Sequence, residues 1–286
     1  MEKWHAHRIV PFKKNSSPYW NIPRFIKEEF YCSNCKKAGH LCRNCPNSIM
    51  SFGLIAFKVV NSDIQFLLIR RRNTISYIDF IRGHYKDSML LSMFDRMTNE
   101  ELENLSTYSY DTLWNSLWLK DHRNKETAQK RYAKVVAGFY IKDPFTTRFI
   151  DLRVLIQESK RIYTTPEYGF PKGRKNKTEN NIEAAEREFQ EETGMKHRDY
   201  KLINLPPIEE RFIGIDQRKY THIYYIAECH PDSNPVLDVS SIEQTTEISW
   251  VGFLSYSEAM TLIRDYHKEK KDILTFVYNE VKSRLN

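Results

Sequence analysis

Three carboxylates, Glu188, Glu191 and Glu192, stand at i, i+3 and i+4 within "REFQEETGM". On a helix that spacing sets them on one face. Carboxylates so close repel one another, and a cation held between them relieves the repulsion; hard oxygen donors select magnesium or manganese. A divalent ion in such a place neutralises phosphate oxygens and lowers the pKa of an attacking water, which suits hydrolysis of a diphosphate linkage. A merely solvated acidic face accounts for the glutamates alone. It leaves unexplained Gly173, Glu179, Arg187 and Gly194, which complete the pattern G-x5-E-x7-R-E-U-x-E-E-x-G-U, where U is a bulky apolar residue.

A second constellation lies upstream, in "CSNCKKAGHLCRNCP". No apolar leader segment is present at the start of the sequence, so disulfides are a poor explanation for four crowded cysteines and a metal is a better one. Cys32, Cys35, His40 and Cys45 give C-x2-C-x4-H-x4-C, which resembles the zinc knuckle, and three thiolates with an imidazole suit tetrahedral zinc. Cys42 is an alternative to His40, so the fourth ligand stays open. The module either staples a segment with little core of its own or also contacts single-stranded RNA through Lys36, Lys37 and Arg43. Cys229, alone at the end of a strand-like run, reads as a small buried hydrophobe.

The elements that must position these groups follow from periodicity and turn signals. "SFGLIAFKVV" and "IQFLLIRRR", separated by "NSD", read as a hairpin that opens a sheet. From about residue 80 to 158 the texture is helical, with Thr98 and Glu101 forming a capping box. Trp114 and Trp118, four apart, read as core packing. The carboxylate helix should run from about Ile182 to Thr193, packing Ala184, Ala185 and Phe189 and ending at Gly194. Strands resume at "YKLINL", "EERFIGI", "YTHIYYIAE" and "EISWVGF", and helices close the chain from Ser255. The expected organisation is an N-terminal segment 1–50 with a metal module at 32–45, a catalytic domain at 51–79 and 159–254, a helical insertion at 80–158, and C-terminal helices at 255–286. A net charge of +7 and pI of about 9.0 favour a polyanionic partner, and no apolar run is long enough to cross a membrane. A cytoplasmic location is the expectation.

The spaced pattern from Gly173 to Met195 resembles the Nudix box. "GFPKGR" resembles the "FPKGK" form of messenger RNA decapping Nudix enzymes. The order of motifs over residues 51–255 is similar to the decapping Nudix hydrolases of large cytoplasmic DNA viruses, of the African swine fever virus type. The resemblance implies an α/β Nudix fold, a mixed sheet sandwiched by helices, carrying a helical insertion. It implies Glu188, Glu191 and Glu192 as magnesium or manganese ligands and a Glu179–Arg187 pair holding the loop-helix-loop. Lys172, Arg174, Lys175 and Lys177 become the phosphate and RNA contacts. It implies removal of the 5′ cap of messenger RNA, releasing 7-methylguanosine diphosphate and 5′-monophosphate RNA, in the cytoplasm of an infected cell. Where decapping enzymes place a base-like glutamate, this sequence has Gln244. The flanking Glu243 and Glu247 are candidates in its stead, Glu243 being favoured, and the catalytic set is Glu243, Glu191 and Glu247. A small-substrate diphosphohydrolase and a catalytically idle RNA-binding scaffold are the competing readings, and homodimerisation is left open.

Overall fold

The computed structural model describes residues 31, 32, 34, 35, 37–40, 45–117, 124–142 and 147–285. They divide into two units, one ending at Cys45 and one starting at Pro46. Trp118, Lys36, Cys42 and Arg43 lie outside the described residues.

The larger unit opens with β1 (Ile49–Val60) and β2 (Asp63–Arg71). Asn61 and Ser62, at φ 50° and 68°, make the two-residue turn whose left-handed backbone matches strand twist. A helical layer follows: α1 (Ile75–Ile81), α2 (Leu90–Phe94), α3 (Asn99–Thr107), α4 (Tyr110–Leu117) and α5 (Lys125–Ala137). It continues through the hairpin β3 (Phe139–Lys142) and β4 (Thr147–Ile150) to α6 (Leu152–Glu158). Helix begins at Ile75, ahead of residue 80, because the Thr74 hydroxyl accepts from the Tyr77 N–H and caps it. The β3–β4 hairpin is absent from the sequence reading, which had only helix there; Gly138, at φ 81°, ends α5 and turns the chain into it.

Short strands β5 (Tyr168–Gly169) and β6 (Lys172–Gly173) lead into α7 (Asn181–Thr193). Then come β7 (Tyr200–Leu202), β8 (Ile208–Ile213), β9 (Lys219–Cys229), α8 (Ile242–Glu247), β10 (Ile248–Ser255), α9 (Tyr256–Leu262) and α10 (Lys268–Leu285). The sheet runs β10-β2-β1-β9-β7, with β8 also on β9, and β1 is parallel to β9 while every other pairing is antiparallel. β1 and β2 pair from Phe57/Phe66 to their turn. Beyond that β2 takes β5 (Ile69 opposite Gly169) and β1 takes β6 (Phe52 opposite Gly173). The segment 168–173 is thereby held between the two strands that lead away from the hairpin.

Both faces of the sheet are covered, so its central strands are apolar on alternate residues to both sides. Leu54, Ala56 and Leu67 pack with Ala184, Ala185 and Phe189 of α7. Ile55, Phe57, Phe66 and Leu68 pack with Ala259 of α9, with Ile263 just past its end, and with Leu274 and Val277 of α10. The helical layer has a core of its own around Phe80, Phe94, Leu102, Tyr132, Val135 and Leu155. Trp114 sits in that core, beside Tyr110. Glu101 caps α3 through Thr98 and also accepts from the N–H and hydroxyl of Thr74, both at 2.7 Å, so one buried carboxylate ties two helix starts together. Burial pushes its carboxyl above the usual range. Cys229 is buried.

A second buried carboxylate joins α10 to the sheet. Glu210 of β8 accepts from Lys270 Nζ at 2.9 Å and from the Tyr224 hydroxyl at 2.9 Å, and meets His222 Nδ1 at 2.8 Å. Burial opposes the charge on Glu210, but Lys270 first and then His222 outweigh it and hold the carboxyl well below the usual range. Removing one partner leaves an uncompensated buried charge, so Lys270→Ala is expected to cost about 3–5 kcal/mol in unfolding free energy, measured by urea denaturation. Lys270→Met combined with Glu210→Gln should recover most of that loss.

Candidate metal centre and cleft

α7 is specified locally at both ends. The Asn180 side chain accepts from the Glu183 N–H while the Glu183 carboxylate accepts from the Asn180 N–H, a reciprocal cap. Gly194, at φ 69°, closes the helix and its N–H returns to the Gln190 carbonyl. Packing fixes the rotation: Ala184, Ala185 and Phe189 face the sheet, Phe189 alone contributing about 1.5–3 kcal/mol by burial. The glutamates are therefore turned toward the loop 172–179.

Arg187 is the brace. Its Nε donates to Glu179 Oε1 at 2.6 Å, Nη1 to Glu191 at 2.8 Å, and Nη2 to Glu179, to the Arg174 carbonyl and, at 2.9 Å, to Glu188. Bonding to Arg187, then to Asn176, holds the Glu179 carboxyl down to about 2. The Glu179–Arg187 clamp is thus lost only as pH falls toward about 2. A Cβ at Gly173 would lie 2.0 Å from Glu188 Oε2, so any larger residue there would force the Glu188 carboxylate to shift.

Glu192 is 7% exposed, and its Oε2 accepts from the Lys172 N–H at 2.8 Å. Burial pushes its carboxyl up to about 8; Lys172 opposes the rise and Glu247 and Glu188 add to it. Burial likewise raises Glu188, Arg187 opposes, and Glu191 and Glu247 add. The structure thus brings Glu188, Glu192 and Glu247 within electrostatic reach of each other. Glu191 sits at the solvent edge, half exposed and tied to Arg187. Glu188 and Glu192, raised chiefly by burial, together with Glu191 at the edge are a carboxylate donor set that fits a hard divalent cation.

Gln244 lies on α8 and is buried. Its Nε2 donates to the Glu192 and Val236 carbonyls, each at 3.0 Å, and its Oε1 accepts from the Asp238 N–H at 2.7 Å. It clips the C-terminal turn of α7 to the segment before α8. Glu243 is on the same helix, with its side chain outside the described residues. Glu247 ends α8, and a register shift between Ile248 and Trp250 follows it.

A cleft of about 610 Å³ opens beside the carboxylates, lined by Glu247, Lys172 and Arg174 from this centre, by α1, and by the β8–β9 hairpin. Burial and Arg71 push the Lys172 ammonium below the usual lysine range. Arg174, Lys175 and Lys177 are exposed on the loop. The sequence reading missed Glu210, His222 and Lys270, which back the cleft wall. A signal was present: Glu210 shares strand parity with Ile208 and Phe212, so alternation aims a carboxylate inward. In the smaller unit, Cys32, Cys35, His40 and Cys45 offer ligand atoms all within 4.8 Å of one another.

A glutamate-bearing helix braced by an arginine to the loop before it, laid on a mixed sheet, defines a loop-helix-loop metal-site domain. The NUDIX domain model matches residues 134–276, and the chain belongs to the Nudix family. It is 35% identical over 239 residues to a "Putative mRNA-decapping protein" of Acanthamoeba polyphaga mimivirus, covering 75% of this chain. The chain spans 65% of that relative's length. It is 28% identical over 230 residues to the mRNA-decapping protein g5R of African swine fever virus (isolate Pig/Kenya/KEN-50/1950), covering 74% of this chain and 90% of that one. Among solved structures, a C. elegans Ap4A hydrolase binary complex aligns with TM-score 0.39 at 10% identity, over 80% of this chain and 98% of that one.

Gly173→Ala is expected to displace Glu188 and weaken manganese binding by about tenfold or more, the scale of a disturbed ligand support. Manganese titration followed by electron paramagnetic resonance, on protein shown folded by circular dichroism, checks it.

Proposed function

We propose that the chain is a divalent-metal-dependent hydrolase that removes the 5′ cap of RNA, releasing 7-methylguanosine diphosphate and 5′-monophosphate RNA. The observation that carries this reading is that Glu247, which lines the cleft with Lys172 and Arg174, lies within electrostatic reach of the buried carboxylates Glu188 and Glu192 of α7. The names of the two viral relatives, both mRNA-decapping proteins, support the choice of a capped RNA over a free nucleotide. So does the exposed basic loop Arg174, Lys175, Lys177, which suits a phosphate backbone.

Glu188 and Glu192, with Glu191 at the edge, would hold magnesium or manganese, and the bound ion supplies charge neutralisation and an acidified water. Glu247 accepts a proton from the attacking water. The water oxygen bonds to phosphorus, the bridging oxygen–phosphorus bond breaks, and the leaving phosphate keeps the electron pair. Glu247 takes the base role in preference to Glu243 because it lines the cleft and is felt electrostatically by both Glu188 and Glu192. Lys172 and Arg174 orient the phosphate chain. In the smaller unit Cys32, Cys35, His40 and Cys45 would hold zinc, which would order a segment with little core. Among the described residues no helix is long and apolar enough to cross a membrane. A cytoplasmic site of action belongs to this reading.

Cap-labelled RNA incubated with magnesium or manganese should yield labelled 7-methylguanosine diphosphate. Glu192→Gln should slow this by roughly 100-fold or more, equivalent to about 2.7 kcal/mol of transition-state stabilisation, while RNA affinity stays within about twofold. Free 7-methylguanosine monophosphate as product, or full activity in the variant, would sink the assignment.

Purified protein should carry about one zinc per chain by atomic emission, and Cys32→Ser should release it. A folded, zinc-free wild type would overturn the module.

A further inference from the structure

The cleft has a part that the carboxylate chemistry does not use. β1 gives its scale: Gly53 pairs with Lys172 and Ile49 pairs with Tyr220, so the Tyr220 region lies four residues along the strand, roughly 13 Å, from the phosphate-orienting lysine. A ribose and its first phosphates would bridge that separation.

The wall there is aromatic and acidic. Phe212 and Tyr220 are cross-strand partners on β8 and β9, stacked with ring centroids 5.3 Å apart and planes 10° from parallel. His222 meets the Phe212 ring edge-on at 5.0 Å and holds it from the side. Phe212 is only half-buried, and Ile213 beside it is 65% exposed, although both line a concave surface. The same cleft is lined from α1 by Ile75 and Asp79. The Asp79 side chain is 16% exposed; among the described residues it makes no hydrogen bond, and its one ion-pair neighbour is His84, half exposed at 3.7 Å. The other acid of this wall, Asp216, is already engaged by Arg218 and the Tyr220 hydroxyl. Burial pushes the Tyr220 phenol up, Asp216 adds to the rise and Asp79 contributes too, so Asp79 lies within electrostatic reach of the ring pair. Arg82 lines the same stretch but is exposed to solvent.

An electron-rich ring face and, lining the same cleft, a carboxylate that makes no hydrogen bond among the described residues match one kind of purine. Guanine presents N1–H and N2–H donors on a single edge, which a carboxylate accepts together. Methylation at N7 adds a delocalised positive charge, favoured over an aromatic face and beside an acid. Adenine presents an acceptor at N1 on that edge and carries no such charge. We propose that this end of the cleft is the nucleobase subsite, with Phe212 stacking on a 7-methylguanine and Asp79 accepting from its N1–H and N2–H. The inference deepens the decapping reading and rests on it. It makes Phe212 and Asp79 the residues that set base specificity and methylation preference.

The full chain is titrated calorimetrically with 7-methylguanosine diphosphate and with guanosine diphosphate, and hydrolysis of methylated and unmethylated capped RNA is measured in parallel. Wild type should bind the methylated ligand about tenfold more tightly than the unmethylated one. Phe212→Ala should weaken the methylated ligand by about tenfold and raise KM on capped RNA to match, the scale of one lost base stack, whereas Phe212→Trp should retain affinity. Asp79→Asn should remove most of the methylation preference. Thermal unfolding verifies each variant, and Phe212→Leu substitutes where alanine fails to fold. Variants that bind and discriminate like wild type, with capped RNA still cleaved, overturn the subsite and leave decapping intact. Absence of capped-RNA cleavage by wild type overturns decapping. In that case retained, Phe212-dependent binding of 7-methylguanosine diphosphate upholds the subsite, and its absence removes both.

Discussion

Charge repulsion in a desolvated corner governs the architecture of the larger unit. Glu188 and Glu192 are raised first by burial and further by the neighbouring carboxylate of Glu247, and Glu192 is almost fully shielded from water. Left to themselves such groups would protonate or move apart. They are kept in place by the Arg187 guanidinium, by the Lys172 N–H, and by the Gln244 amide at the C-terminal turn of the helix. Those braces come from α7 itself, anchored by Arg187 to Glu179 of the preceding loop, from a strand held between β1 and β2, and from a helix before the last strand. The centre therefore exists only when distant parts of the chain have come together.

Much of this was legible in the residues, for identifiable reasons. The α7 segment announces itself through Asn180, Glu183, the sheet-facing Ala184, Ala185 and Phe189, and Gly194, all local signals whose structural consequence is also local. The β1–β2 turn, the Thr98–Glu101 cap and the Ser255–Glu258 cap are of the same kind. Less legible were features set by tertiary packing. The strand at "YKLINL" narrows to Tyr200–Leu202, whose ladder with β9 ends there, with one further bond from the Ile203 N–H to the Ile226 carbonyl. Gln244 reads as a lost base in the sequence, yet it is a three-bonded clip, a role that appears only once Glu192 and Val236 are brought beside it. The β3–β4 hairpin hides within a helical texture because its strands are short and half-exposed.

The two buried carboxylates that do no chemistry show a different use of the same physics. Glu101 joins the starts of α1 and α3, and Glu210 joins β8 to α10. Each buys geometric definition where apolar packing would allow sliding. The cleft lies between these two fixed points, so its walls inherit their rigidity. Arg264 extends the arrangement, reaching the carbonyls of Arg96 and Thr165 at 2.7 Å each and the Glu167 carboxylate.

The pairing of β2 with β10 joins residues 179 apart in the sequence, as between Arg70 and Ser249. A nascent chain emerges N-terminus first, at about 5–20 residues per second, and domains form as their cores become complete. The helical layer has all its core residues between Tyr77 and Ile156, so it can consolidate early. The β1–β2 hairpin, apolar on both faces, must wait for α7, β9, β10 and the closing helices before either face is covered. Long-range pairing of this kind is intrinsically slow, and uncovered strand edges invite association with other chains. The topology that delivers distant braces to one corner thus leaves the half-synthesised chain with an apolar hairpin uncovered until the last strand and closing helices emerge.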